Sequence, residues 1–346
     1  MRQRAFVTAL MLASATGLVS SVHAFTAACV SSGIGTDSFC KANGAKLHFI
    51  DWGGTGPAII LLTGLGNSAR IYDDLAPRLT TGRHVYAFTR RGYGFSEQTP
   101  GNYSNATLVG DVLAMMDALS IAKASFVGHS IAGGELSTLG AEHGGRVDRL
   151  IYLDSAYDRT AALDLMKSVP VSLEPTPQAL ASLDAFSQWQ QAVLGVHSAA
   201  VDHDVRAIMT VTPTGVVPKT PGSVMLEVLK GDIAARPRYA EITAPALAIY
   251  GSKDMPEQLP PEATPQDRAA YLEYVIRRIR PWMLRAQADF IENIRCGVAI
   301  EVPNATHYLF LDRPDWVAAS ILSFLKTSDP CRWRTALPDA RQASVP

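Results

Sequence analysis

Between residues 45 and 155 the chain alternates short, strongly apolar runs with segments of helical periodicity. The apolar runs are KLHFIDW, PAIILLTG, HVYAFTR, ASFVGHS and RLIYLDS. Helical patterns lie at NATLVGDVLAMMDAL and at residues 131–143. Strands that read as continuous apolar runs are buried on both faces, which is typical of a parallel sheet covered by helices. The sequence therefore predicts an α/β fold with a mostly parallel, doubly wound sheet.

The segment 156–240 lacks these strand patterns and is rich in Leu, Ala and Pro at helical spacing. Strand patterns return in APALAIYGSKD and GVAIEVPNATH, and an amphipathic helix follows at PDWVAASILSFL. We expect a core of residues 25–155 and 241–326, a helical cap inserted at 156–240, and a C-terminal tail at 327–346. With 47% hydrophobic and 18% charged residues, the chain has enough apolar material for a large core.

A serine stands where the strand pattern ASFVGHS passes into a helical pattern. Gly128 and Ala132 lie two residues to either side of Ser130, and small residues there let the chain fold back sharply. Such a turn, a nucleophile elbow, would present the Ser130 hydroxyl at the edge of the sheet. We expect the neighbouring His129 to pack within the turn rather than to react.

A serine hydroxyl becomes an effective nucleophile when an imidazole takes its proton and a carboxylate orients that imidazole. Asp254 follows the strand pattern ALAIY and His307 follows VAIEV, each in a loop at the carboxyl edge of the predicted sheet. The order Ser, Asp, His is the one expected for a serine elbow on a doubly wound sheet. Asp154, which follows RLIYL, is the alternative acid.

Four further segments strengthen this interpretation: LLTGLGNS and TRRGYGFS after two strand patterns, GSKD, and NATH. With the elbow, they show that the chain resembles the α/β-hydrolase fold superfamily over most of residues 45–326. The resemblance is to its capped esterase-like and epoxide-hydrolase-like members. It implies that the backbone N–H groups of Leu65 and Ile131 form an oxyanion hole.

Two positions distinguish this chain from parts of the superfamily. Members usually show His-Gly where this chain has Thr63-Gly64, a change that need not remove a backbone donor. Epoxide hydrolases and haloalkane dehalogenases use an aspartate at the position of Ser130, so the resemblance disfavours those two activities.

We therefore expect an enzyme, a serine hydrolase of carboxylesterase type, that cleaves a carboxylic ester or a related acyl bond through an acyl-enzyme intermediate. The alternatives are a cofactor-free lyase or perhydrolase on the same triad, and a non-catalytic ligand-binding protein on a hydrolase scaffold. The prediction includes no metal and no organic cofactor. Apolar cap residues are expected to line the substrate pocket: Phe186, Trp189, Met209 and Met225.

The N-terminal segment combines two arginines, an apolar run of about fifteen residues and a small-x-small pattern that ends at Ala24. This arrangement is typical of a signal peptide cleaved after Ala24. A transmembrane anchor is the alternative, but the apolar run is shorter than the roughly twenty residues that a bilayer requires. We therefore expect a periplasmic or secreted protein without a stable membrane span.

All four cysteines follow the predicted signal peptide. An even number of cysteines in an exported chain favours disulfides over free thiols. Of the three pairings that four cysteines allow, we expect Cys29–Cys40 and Cys296–Cys331, because each closes a modest loop. Zinc binding is the alternative, but no Cys-x-x-Cys motif or nearby pair of histidines supports it.

The formal net charge of −1 gives no electrostatic reason to expect a nucleic-acid partner. The expected partner is a small-molecule ester, and the sequence does not indicate an oligomeric state.

In VDHDV, Asp202 and Asp204 are expected to form a solvated patch on the cap. The arginines of segment 267–294 are expected to form the solvated face of a helix packed on the core, because apolar residues recur there at helical spacing.

Overall fold

The computed structural model describes residues 28–251, 259–302, 304–333 and 341–342. The predicted signal peptide with its cleavage site at Ala24, and the predicted acid Asp254, lie outside the described residues.

The strands are β1 (Ala28–Val30), β2 (Asp37–Ala42), β3 (Ala45–Asp51), β4 (Ala58–Leu62), β5 (His84–Phe88), β6 (Ala124–His129), β7 (Val147–Leu153), β8 (Met209–Thr212), β9 (Gly215–Pro218), β10 (Ala246–Tyr250), β11 (Gly297–Glu301) and β12 (Arg341–Gln342). The α-helices are α1 (Ala76–Leu79), α2 (Asn105–Ala118), α3 (Ala132–Glu142), α4 (Ala162–Lys167), α5 (Leu183–Leu194), α6 (Ala199–Ile208), α7 (Gly222–Ala234), α8 (Pro265–Tyr274), α9 (Arg280–Asn293), α10 (Leu309–Asp312) and α11 (Pro314–Lys326).

Ten strands form one sheet in the order β1-β2-β3-β5-β4-β6-β7-β10-β11-β12. The six central strands, from β5 to β11 in this order, are parallel, and antiparallel pairs occur toward the two edges. The predicted α/β architecture with a mostly parallel sheet is confirmed. Because the central strands are parallel, the carboxyl ends of β6, β7 and β10 lie side by side.

The apolar strand patterns are explained by burial on both faces of the sheet. In β4, Ile59 and Leu61 join one core cluster, while Ile60 and Leu62 join the cluster on the opposite face. This alternation follows from the period of two residues in a strand. Both faces are apolar, so the strand reads as a continuous hydrophobic run rather than as an alternating one.

The region between β7 and β10 holds helices α4 to α7, as its composition predicts, but it also contains two strands. β8 and β9 form a separate antiparallel hairpin in which Thr212 pairs with Gly215. The β-branched Val211, Val216 and Val217 favour extended backbone, and Gly215 adopts a φ of +136° that suits glycine. The sequence analysis did not predict this hairpin, because its strands are only four residues long.

Both predicted disulfides, Cys29–Cys40 and Cys296–Cys331, are present. The first joins β1 to β2 at directly opposed positions of the antiparallel pair. The second joins the residue before β11 to the segment after α11, and so holds the C-terminal segment to the core. Within the described ranges, no helix is long and apolar enough to cross a membrane.

Native protein is expected to contain no alkylatable thiol, and peptide mapping without reductant should recover the pairs 29–40 and 296–331. Replacing Cys296 and Cys331 together with alanine should lower the free energy of unfolding by about 2–4 kcal/mol, because the unfolded chain gains conformational freedom. Urea denaturation measures this change. Four reactive thiols in native material would contradict the prediction.

Candidate active site

The turn at Ser130 is a tight, strained connection between β6 and α3. Ser130 has a φ of +55°, which is uncommon for a residue with a side chain. A Cβ added at Gly128 would lie 2.8 Å from Leu136 Cδ1 and 3.1 Å from Ala132 Cβ. Small residues on both sides of Ser130 are therefore required for helix α3 to approach the end of β6 this closely.

His307 follows β11 and forms a hydrogen bond to the carboxylate of Asp154. His307 Nδ1 lies 2.5 Å from Asp154 Oδ2, and the Asp154 side chain is almost fully buried. The alternative acid, Asp154, is thus a hydrogen-bond partner of His307, whereas the preferred acid, Asp254, lies outside the described residues. Because β10 lies between β7 and β11 in the sheet, the loop after β11 must cross the end of β10 to bring His307 to Asp154.

Besides His307, Asp154 is held by groups from two parts of the chain, β10 with the residue after it and the segment after β7. Its own backbone N–H donates to the carbonyl of Ile249 at 2.7 Å. The Tyr157 hydroxyl donates to Asp154 Oδ1, and the Gly251 N–H approaches the same oxygen at 3.3 Å. Burial raises the pKa of Tyr157 well above its usual value, so the phenol remains a donor. The sequence analysis missed Tyr157, although its position three residues after a strand-end aspartate was a usable signal.

His129 supports the loop that carries His307. It is fully buried, and its ring centroid lies 4.6 Å from that of His307. Burial, assisted by the neighbouring His307, lowers the pKa of His129 well below its usual value. The neutral ring therefore donates its Nε2–H to the His307 carbonyl, 3.0 Å away, because a carbonyl can only accept. This agrees with the expectation that His129 packs within the turn.

The backbone of Leu65 follows the end of β4, and Ile131 follows Ser130 at the start of α3. Arg90, from the TRRGYGFS segment, donates to the carbonyls of Thr63 and Gly64 at 3.0 and 3.2 Å. Its guanidinium also pairs with the buried carboxylate of Glu135 on α3 at 2.7 Å. The pair thus ties the segment before Leu65 to the helix that begins beside Ile131. Among the described residues, neither the Leu65 nor the Ile131 N–H has a backbone partner.

A cavity of about 290 Å³ opens at Ser130, and its lining includes Asp154 and His307. Its remaining walls are largely aromatic and aliphatic, and they come from the segment after β7 and from a second segment after β10: Tyr157, Arg159, Val169, Leu173, Tyr271, Tyr274, Val275, Ile279, Trp282 and Met283. Much of the wall thus belongs to α8, α9 and the π-helical turn Val275–Ile279 between them.

The expectation that the arginines of segment 267–294 form the solvated face of a helix packed on the core is confirmed for Arg277, Arg278 and Arg285, which are exposed, but it is wrong for part of the apolar face. Leu272 and Ile276, two of its apolar residues, are exposed, whereas Tyr274 and Val275 are buried and line the cavity. The π-helical turn adds a residue to the local repeat, so the apolar spacing of a regular α-helix does not describe the buried face.

None of the four predicted pocket residues is among those that line this cavity. Phe186 stacks on Trp189, with ring centroids 5.7 Å apart, and both pack with Met209 in one of the hydrophobic core clusters. Met225 instead packs, as Leu65 also does, against a smaller core cluster, and it lies close to Gly66. Helical spacing of apolar residues does not indicate which surface of this region faces the site, and Met209 lies in strand β8 rather than in a helix.

Arg159 is the cation of the cavity, and the sequence analysis did not single it out. Its guanidinium donates to the carbonyl of Ser130 at 2.5 Å. It also lies 3.7 Å from the buried carboxylate of Asp232. Burial raises the pKa of Asp232 to about 6, an effect that Arg159 opposes. Arg159 therefore secures the backbone of the elbow from the cavity side.

A model of the alpha/beta hydrolase family matches residues 59–320, and the chain belongs to this family. In Mycobacterium tuberculosis, a protein named "Putative non-heme bromoperoxidase BpoC" is 26% identical over 288 residues, which cover 79% of this chain and 95% of that protein. A "Putative non-heme haloperoxidase" of Mycobacterium phage D29 is 34% identical over 104 residues. That match covers 30% of this chain and 37% of the phage protein, so the chain spans little more than a third of this relative.

Solved structures share the fold at low sequence identity. E-2-(acetamidomethylene)succinate hydrolase superposes with a TM-score of 0.63 at 18% identity, covering 84% of this chain and 99% of that chain. The enol-lactonase from Burkholderia xenovorans LB400 gives a TM-score of 0.57 at 23% identity, covering 84% and 100%. These likenesses support the fold.

Gly128→Ala should destabilise the protein by about 1–3 kcal/mol, because the new methyl group overlaps Leu136 and Ala132. Gly145→Ala is the matched control: an added Cβ there meets nothing within 4 Å. Its effect should stay within about 0.5 kcal/mol. Urea denaturation of both variants measures the difference, and equal stabilities would contradict the close packing at the elbow.

Proposed function

We propose that the protein is a serine hydrolase that cleaves a carboxylic ester or a related acyl bond through an acyl-enzyme intermediate. The observation that carries the proposal is a single cavity lined by Ser130 and His307, with His307 hydrogen-bonded at 2.5 Å to the buried Asp154. A strained serine and a carboxylate-oriented imidazole at one sheet edge are what activation of a serine hydroxyl requires.

In the proposed reaction, His307 accepts the hydroxyl proton of Ser130 as Oγ attacks the substrate carbonyl. Asp154 fixes the tautomer of the imidazole and stabilises its charged form. The negative charge on the carbonyl oxygen is stabilised by the N–H groups of Leu65 and Ile131. The imidazolium then protonates the leaving alcohol, and water, deprotonated by His307, releases the acid product and restores Ser130.

The composition of the cavity wall supports a neutral, apolar substrate of small to medium size. Tyr271, Tyr274 and Trp282 provide aromatic surface, and Val275 and Ile279 provide aliphatic surface. The charge of Arg159 is already opposed by Asp232, so a strongly anionic group would gain little there. Aryl or medium-chain acyl esters therefore fit the cavity better than polyanionic esters.

Perhydrolysis is the second candidate, and the similarity to the bromoperoxidase-named protein favours it. The same acyl-enzyme could be attacked by hydrogen peroxide instead of water, which would give a peroxyacid and the free serine. A peroxyacid assay with a short carboxylic ester and peroxide separates the two reactions. Hydrolysis remains the primary proposal, because it needs no second substrate besides water.

The proposal includes export to the periplasm or the medium. Support comes from the two disulfides, since disulfides persist mainly in oxidising compartments.

We also propose that the segment 156–240 acts as a cap over the core. Helices α4 to α7 in this segment support that assignment.

The triad assignment predicts unequal effects of two aspartate substitutions. Asp154→Asn should lower kcat by roughly 10³- to 10⁴-fold with little change in KM, because the imidazole loses its orienting carboxylate. Ser130→Ala should be at least as damaging. Asp254→Asn should retain near-normal turnover. Thermal melting first shows that each variant is folded, and steady-state kinetics on an aryl ester then measure these effects. If Asp254→Asn loses several orders of magnitude in kcat while Asp154→Asn does not, Asp254 is the acid.

The wall assignment predicts that Tyr271→Ala raises KM for an apolar aryl ester about tenfold, since the substrate loses aromatic contact. Leu272→Ala is the matched control, because Leu272 is the next residue on α8 but is exposed. A panel of neutral and anionic esters should favour the neutral ones. Preference for polyanionic esters, or equal KM values for the two variants, would refute this description of the cavity.

A further inference from the structure

The second acid of VDHDV, Asp204, is buried rather than solvated. Its residue exposure is 0%, although it lies on helix α6 of the cap. This corrects the expectation of a solvated patch. Burial raises the pKa of Asp204 to about 6, which hydrogen bonds from Ser68 and Asn67 oppose. A carboxylate kept at this position needs specific partners to compensate for its desolvation.

The partners of Asp204 belong to the loop that carries Leu65. Asp204 Oδ1 accepts hydrogen bonds from the backbone N–H and the hydroxyl of Ser68, at 2.7 and 2.6 Å. Asp204 Oδ2 accepts from the Asn67 side-chain amide at 2.8 Å. All three donors lie within three residues of Leu65. Hydrogen bonds to an ionised acceptor inside the protein are among the stronger ones.

Asn67 also connects this loop to the residue after His307. The Tyr308 hydroxyl donates to Asn67 Oδ1 at 3.2 Å. Burial raises the pKa of Tyr308 above its usual value, so the hydroxyl keeps its proton. The amide of Asn67 thus donates toward the cap and accepts from the His307 loop. The chain Asp204, Asn67 and Tyr308 joins the cap to both of these loops.

We propose that Asp204 and Asn67 are positioning residues that fix the Leu65 backbone relative to His307 from the cap side. The inference rests on the proposed serine-hydrolase function. Its physical basis is that an oxyanion donor and a general base must keep their relative positions within a fraction of an ångström. The network supplies that restraint without touching the substrate.

A double-mutant cycle on kcat tests the proposal. Asp204→Asn and Tyr308→Phe should each lower kcat about 10- to 100-fold with KM changed less than about threefold, because only the geometry of the reacting groups is lost. The double variant should lose less than the product of the single losses, since both substitutions break one chain. Asp202→Asn is the matched control: Asp202 lies on the same helix but bonds Ser187 and Gln191 within the cap.

The fluorophosphonate labelling rate at Ser130 separates this inference from the proposed function. No labelling of the wild-type protein would overturn both. The positioning role alone would be overturned if the wild-type protein is labelled and the Asp204 and Tyr308 variants show unchanged labelling rates and unchanged kcat. Strictly multiplicative losses of kcat in the double-mutant cycle would also overturn it. If Asp204→Asn does not fold, Tyr308→Phe serves as the test, because it removes only one hydroxyl. The proposal then requires that kcat of Tyr308→Phe is lower than kcat of Asp202→Asn, and equal values would overturn it.

Discussion

The candidate site depends on two strained residues that the parallel sheet holds in place. Ser130 and Asp154 follow the neighbouring strands β6 and β7, and both have left-handed φ values, +55° and +45°. Such a conformation costs about 1–3 kcal/mol and persists only where surrounding structure determines it. Here each strained N–H donates to a carbonyl of the adjacent strand: Ser130 to Leu153, and Asp154 to Ile249. The sheet register thus sets the positions of Ser130 and Asp154 together.

Buried polar groups connect the loops around this edge to one another. Arg90 and Glu135 join the segment before Leu65 to α3, and Arg159 holds the Ser130 carbonyl from the cavity side. An unpaired charge in such surroundings would be costly, so each of these groups resists displacement of its partner. The hydrogen bond from His129 to the His307 carbonyl adds a neutral restraint on the remaining loop. The result is a site built from several loops that behaves as one packed unit.

The sequence predicted the features that depend on local pattern. Ser130 was found because glycine and alanine at fixed offsets produce the elbow, and the strands were found because burial on both faces gives apolar runs. The local pattern did not choose between the two candidate acids, because Asp154 and Asp254 both follow strand patterns. The contact between Asp154 and His307 depends instead on the path of the loop after β11 past the end of β10. Asp204 was wrongly predicted to be solvated for a similar reason. Its partners Asn67 and Ser68 are more than 130 residues away in sequence, so the local charge pattern does not reveal them.

The central claim is that Ser130 forms a covalent acyl intermediate. Rapid acid quenching of the protein with an aryl ester, followed by intact-mass and peptide mass spectrometry, tests it directly. The account predicts a mass increase equal to one acyl group, confined to the peptide that contains Ser130, together with a stoichiometric burst of the released phenol. Steady turnover of the ester with no adduct on that peptide, or with an adduct on another residue, would contradict it.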